Sequence, residues 1–223
     1  MVLVVFSFAC AQHQSRERRC VGTNRNTVPG FPRERNMATV ITHAFVALSA
    51  GKICFERRMS ARFAVVAVVC SAVPDLDVLG FSYDIAYGDL WGHRGMTHSL
   101  LFAALLSVVV VSWLFREEAP FRSGAWWRYV IFFFAVTASH GFIDAFTDGG
   151  LGIAFFSPFD TTRYFMPWRP LVVSDIGGLE TLLSYDGKIV LRSELTWVWA
   201  PVAVTLALVV GARIWRKGHR HPS

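Results

Sequence analysis

Five apolar stretches, at about 38–51, 61–73, 97–115, 127–147 and 195–215, punctuate the chain, separated by polar or basic segments. None alternates apolar and polar residues in the manner of a half-buried strand, and each predicts a helix. The third and fifth are long enough to cross a bilayer, which takes about 20 apolar residues. The fourth is similar in length but carries His140 and Asp144 near its end. The first two, at about 13–15 residues, are too short to span comfortably and read as buried core helices or partial spans. Pro74 should end the second, because the residue before a proline is pushed out of helical geometry. A loop rich in Gly, Pro and aromatic residues, roughly 148–194, separates helices four and five, and loops of that length are usually functional or disordered. The expected fold is all-α: an integral membrane bundle of about five helices, two of them short.

Composition agrees. Of 223 residues, 53% are hydrophobic and 17% charged, where a soluble domain carries about a quarter charged. A net charge of +6 is compatible with a nucleic-acid surface, but its placement argues otherwise, and no direct nucleic-acid binding is predicted. Lys52, Arg57, Arg58 and Arg62 lie between helices one and two, and Arg116, Arg122 and Arg128 between three and four. Arg213, Arg216, Lys217 and Arg220 follow helix five. With alternating helices these groups share one side, which the positive-inside rule makes cytoplasmic, with the C-terminus. Residues 1–36, Arg-rich with a short apolar start, fit that topology badly and make a poor signal peptide. They are expected to be a disordered or non-native extension, with the membrane domain over 37–223 and a natural start at Met37. Cys10, Cys20, Cys54 and Cys70 form no CxxC pair, so neither a disulfide framework nor a thiolate metal site is indicated.

The chemistry concentrates at one level. His43 lies in the first turns of helix one, and Asp75 and Asp77 follow helix two. His93 and His98 precede helix three, and His140 and Asp144 close helix four. All seven fall at the outer ends of their helices, on the side away from the basic loops. His140 and Asp144 are i,i+4 and share a face. Asp148, a turn further, extends it as an extra ligand or a partner to one. Thr97 is a candidate cap for a helix starting at His98. Imidazole with carboxylate suits Zn, with Mn or Fe as competitors, and the donors suffice for one or two divalent ions. A lone His or Asp on a helix more often caps or faces water, but seven at one level are hard to explain that way, and intramembrane carboxylates generally mark function. In the aromatic loop, Arg163 and Arg169 are candidate substrate-binding groups, since an Arg fork holds phosphate; ordinary snorkelling arginines fit equally well there.

These motifs resemble the YdjM-type family of inner-membrane, metal-dependent hydrolases. The matching stretches are Thr42-His43-Ala44, Pro74-Asp75-Leu76-Asp77, and His93-Arg94-Gly95-Met96-Thr97-His98-Ser99. They continue in His140-Gly141-Phe142-Ile143-Asp144 through Gly150, and in Ser157-Pro158-Phe159. That family is distantly similar to the helical zinc phospholipase C and P1 nuclease group. The resemblance implies a bacterial inner-membrane enzyme acting on a phosphoester, a lipid or an envelope metabolite, and embedded in phospholipid. On this reading His43, Asp75, His98, His140 and Asp144 are metal ligands. Asp77 and His93 are further ligands or acid/base groups, and Arg94 assists in stabilising charge. Two other classes compete: an ion or metal transporter, which would spread its ionisable groups through the membrane depth, and a non-catalytic protein with a structural metal.

Overall fold

Serines start three of the helices. Ser60, Ser99 and Ser123 each accept a hydrogen bond from the amide three residues on, those of Phe63, Phe102 and Trp126, at 3.1 Å in each case. Each cap satisfies an otherwise orphaned N–H and is worth about 1 kcal/mol. In the computed structural model, which describes residues 36–37, 39–55, 59–175 and 185–218, the helices are α1 (Val40–Phe55), α2 (Ala61–Ala72), α3 (Leu100–Leu114) and α4 (Gly124–Asp144). The last rod comprises α5 (Tyr185–Glu194), a π-helical turn (Leu195–Trp199) and α6 (Ala200–Gly218). The fold is an all-helical bundle, to which the described residues add one two-residue pairing, Asn36–Met37 with Ser174–Asp175. Residues 1–35, on which the expectation of an N-terminal extension chiefly rests, lie outside the described residues, as do Cys10 and Cys20.

The lengths of the helices differ from those expected. The α-helix of the second segment does stop before Pro74, but the chain continues without a break as a 3-10 helix, Val73–Tyr83. Proline sits at the start of that helix, where its missing N–H costs nothing. The combined run Ala61–Tyr83 is 23 residues and apolar enough to cross a membrane, as is Asp186–Lys217. The third segment, expected to span, is a 15-residue helix, because Met96–His98 form a separate 3-10 turn and Ser99, rather than Thr97, caps α3. The last helix begins ten residues earlier than the apolar run suggested; that stretch is amphipathic.

Burial along α3 shows how the bundle meets its surroundings. Ala103, Ser107 and Val111 are buried while Leu105, Val109 and Trp113 are exposed. Small residues face the neighbouring helix and large apolar ones face outward, the arrangement of a helix packed in lipid. α3 lies along α4, and α2 packs against both α1 and α4. Phe63 of α2 lies at the middle of this core, its ring 4.8–5.7 Å from those of Phe55, Phe115, Tyr129, Phe132 and Phe133. At one end the basic segments meet: Arg213 of α6 donates to the carbonyls of Lys52 and Ile53, and Arg62 pairs with Glu118.

The opposite end is covered by the long loop, which over its described residues is ordered. Leu100 donates its amide to Phe155, Ala154 to Arg94, Met166 to Ala145 and Leu171 to Phe146. Ala145, Ile153 and Phe155 form a small second core beneath it, against Leu100, Phe142, Tyr164 and Met166.

Candidate metal centre

Four segments deliver the ionisable residues to this covered end. α1 brings His43 in its first turn and α4 brings His140 and Asp144 in its last. The 3-10 helix brings Asp75 and Asp77, and the turn before α3 brings His93 and His98. All seven, with Arg94, are buried. Tightening of α2 into a 3-10 helix matters here. It carries the chain on past Pro74 along the bundle, so that both aspartates face inward while Leu76 between them is exposed.

One group has its donor atoms close enough to share an ion. Ligand atoms of Asp75, His98, His140 and Asp144 all lie within 4.8 Å of one another. His140 Nε2 is 3.1 Å from Asp75 Oδ1, and Asp144 Oδ2 is 3.7 Å from Nε2 of both His98 and His140. His43 completes the group, its Nε2 3.5 Å from Asp144 Oδ1 and its ring stacked on His140 at 3.8 Å. Of the five residues expected as ligands, four thus bring donor atoms together, and His43 reaches them through Asp144 and His140.

The second ring nitrogens show which atoms would bind. His140 Nδ1 donates to the Ser71 carbonyl at 2.7 Å, and His98 Nδ1 faces Asp77 Oδ2 at 3.2 Å. A carbonyl and a carboxylate only accept, so in the neutral rings the proton is on Nδ1 and the Nε2 lone pair points into the centre. Such outer partners are what orients a metal-bound imidazole. His43 differs, since neither of its ring nitrogens has a hydrogen-bond partner.

The group fits a metal ion on two counts. His43 Nε2, His98 Nε2, Asp75 Oδ2 and both oxygens of Asp144 are buried without a hydrogen-bond partner, a cost of about 1–3 kcal/mol for each group, and more where it is charged. Among the described residues, Asp75, Asp77 and Asp144 also outnumber the one buried guanidinium, that of Arg94. With neutral imidazoles, the imbalance of two negative charges is what one divalent cation cancels.

Asp77, expected as a further ligand or an acid/base group, lies at the centre of a hydrogen-bond network. It accepts from His93 Nδ1 at 2.6 Å, the Arg94 amide at 3.0 Å and the Thr97 hydroxyl at 2.7 Å, while His98 Nδ1, 3.2 Å from Asp77 Oδ2, is hydrogen-bonded to the Thr97 hydroxyl oxygen at 3.1 Å. A carboxylate that accepts from three donors orients them. Although Asp77, His93 and His98 form a second possible ligand group, only His93 Nε2 and His98 Nε2 in it remain unpartnered. Thr97, expected as a cap, belongs to this network instead.

Arg94 has a left-handed backbone, φ 62°. Its Nε lies 3.4 Å from Asp144 Oδ2, and NH1 donates to Gly149 O at 2.8 Å. NH2 is buried without a hydrogen-bond partner. Arg163 lies in the covering loop and donates to the carbonyls of His93, Gly152, Tyr87 and Asp89 at 2.9–3.4 Å, tying the loop to the 87–93 segment. Burial pulls its pKa down and pushes that of the neighbouring Tyr87 up. Arg169 is exposed, its guanidinium over the Phe165 ring at 4.6 Å. Asp148 is exposed and accepts from the Val173 amide at 3.1 Å; it holds the loop and stands away from the ligand group.

Sequence reading missed the Ser71 carbonyl, which no side-chain pattern reveals, and Glu194, which fell into the supposed loop. A lone acid leading an apolar run was the available signal.

The family model for YdjM inner membrane proteins matches residues 37–219. Among curated proteins, inner membrane protein YbcI of Escherichia coli (strain K12) is 34% identical over 181 residues, covering 81% of this chain and 99% of its own length. No solved structure matches.

Proposed function

The chain belongs to the YdjM inner membrane protein family, and from that premise and the buried His/Asp centre we propose that it is a membrane-bound, metal-dependent hydrolase of phosphoesters. The observation that carries this is that Asp75, His98, His140 and Asp144, from three segments, bring ligand atoms within 4.8 Å of one another, with His43 of α1 against Asp144. A transporter path would spread such groups through the membrane depth; these share one level.

In the proposal His43, Asp75, His98, His140 and Asp144 hold one divalent ion, zinc in preference to manganese or iron for a mixed imidazole and carboxylate set. When bound, the ion supplies Lewis acidity, lowering the pKa of a water to about 7. Asp77 keeps the His98 and His93 rings in register. His93, whose Nε2 is unpartnered, is the group placed to move a proton. Arg94 balances charge on the ester oxygens through its unpartnered NH2. Arg163 and Arg169 remain candidates for contact with a substrate at the loop, Arg163 after releasing carbonyls that it now holds. The centre is proposed to face the outer side of the inner membrane with the C-terminus cytoplasmic, since Lys52, Arg62 and Arg213 gather at the other end.

One observation favours a second reading, a structural metal. Every side chain of the centre is buried, and Asp75, with 8% of its side chain exposed, is the most open of the ligand carboxylates. Metal analysis of detergent-purified protein, with a panel of phosphoester and carboxyl-ester substrates, separates the two. Bound zinc with phosphoester turnover supports the hydrolase. Bound zinc that turns over nothing supports the structural role.

A further inference from the structure

The last rod contributes no metal ligand, yet it grips the turn of α1 from which His43 projects. Glu194, the final residue of α5, is buried. Its Oε1 accepts from the Thr39 amide at 2.6 Å, and its Oε2 from the hydroxyls of Thr39 at 2.5 Å and Thr42 at 2.7 Å. Trp199 Nε1 donates to the same Thr42 hydroxyl at 2.7 Å, and the Trp199 ring stacks on Phe45 at 4.6 Å. Thr42 and Phe45 flank His43 in sequence, one residue before and two after.

Glu194 and Trp199 are five residues apart. On a regular α-helix they would point about 140° apart, at 3.6 residues per turn, and could not both meet one hydroxyl. The turn Leu195–Trp199 is π-helical, with Ala200 N–H bonded to Leu195 O, five residues back. That wider turn brings a residue nearly over the one five before it. The irregularity is thus what places the carboxylate and the indole on Thr42 together.

His43 is also the ligand that most needs such a hold. His98 and His140 are oriented by Asp77 and the Ser71 carbonyl, whereas His43 has no hydrogen bond to either ring nitrogen. Its direction is set by its backbone turn and by stacking on His140. We infer that Glu194 and Trp199 are positioning residues for His43, a clamp through Thr42 by which the last helix sets the geometry of a metal centre it does not touch. The inference rests on the metal-binding part of the reading above and is independent of hydrolysis.

The test is a titration of full-length protein in detergent with Co²⁺ against a competing chelator, reading affinity and the visible absorption of bound cobalt. Glu194→Gln and Trp199→Phe are each made alone and together with His43→Ala. Trp199→Phe removes the N–H while keeping a ring against Phe45, so folding should be preserved. Each clamp variant should weaken cobalt binding about 10-fold, the lower end for loss of a ligand's orienting partner, and move the absorption towards that of His43→Ala. Added to His43→Ala, neither should cause further loss, because the residue they position is gone. An equal loss in both backgrounds would mean general loosening and overturn the inference. So would wild-type affinity and spectrum in the clamp variants, an unchanged centre in His43→Ala, or no cobalt binding by the wild type. None of these readouts involves turnover, so the hydrolase reading stands or fails separately.

Discussion

Replacing Asp144 tests the centre most directly, because its carboxylate faces every other part of it. One oxygen lies 3.5 Å from His43 Nε2, and the other 3.7 Å from His98 and His140 and 3.4 Å from Arg94 Nε. Asp144→Ala removes a ligand and Arg94's buried counter-charge together. Stranding half of a buried pair costs about 3–5 kcal/mol. In the metal-free protein part of this is offset, since Asp75 loses a like-charged neighbour. The metal-loaded protein has no such offset. Loss of an outer-shell partner costs about 10–100-fold in metal affinity, so loss of a direct ligand should cost at least about 100-fold. Asp144→Asn keeps the shape and removes only the charge; it should lose the metal with less effect on folding. The bundle should survive both changes, because Phe63 and its ring neighbours, at the middle of the helix core, carry the packing. The assay is zinc per folded molecule by mass spectrometry, thermal midpoint in detergent, and phosphoester turnover with zinc or manganese supplied. Turnover should fall to background in both variants. Wild-type zinc content in Asp144→Asn would refute the ligand assignment, and wild-type turnover at low zinc would refute the metal's part in catalysis.

Asp77→Asn should weaken zinc by about 10–100-fold through His98, and adding it to His98→Ala should cost little more, which chelator competition can check. Removing zinc with a chelator should lower the thermal midpoint, by the equivalent of about 2.7 kcal/mol if the free ion had been at 100 times its Kd. An unchanged midpoint would argue that no ion links the segments. A cytoplasm-active reporter fused to the C-terminus should be active; silence in a well-expressed fusion would reverse the proposed orientation. Deleting residues 1–36 should leave insertion and zinc content unchanged, and loss of folded protein would show that the segment is structural.

Much was legible in the sequence because it depends on composition and local spacing. Long apolar runs broken by basic segments specify a helical membrane bundle, since only helices satisfy their backbone in lipid at that length. The level shared by His43, Asp75, His98, His140 and Asp144 followed from where those runs begin and end, and the i,i+4 spacing of His140 and Asp144 placed them on one face. The rest depended on contacts between distant segments. Pro74 signals the end of an α-helix, but nothing local says that the chain continues as a 3-10 helix to Tyr83; packing of that run against α4 supplies the reason. Asp75 and Asp77 look alike in sequence and are told apart only by what surrounds them, His140 for one and three donors for the other. Glu194 reads as a loop acid until the last helix lies against α1, 152 residues away from Thr42 along the chain. Local propensity determines which residues are helical and which end of a helix they occupy; which nitrogen is free to bind, and which carboxylate is held by other donors, is decided by partners that the fold alone brings near.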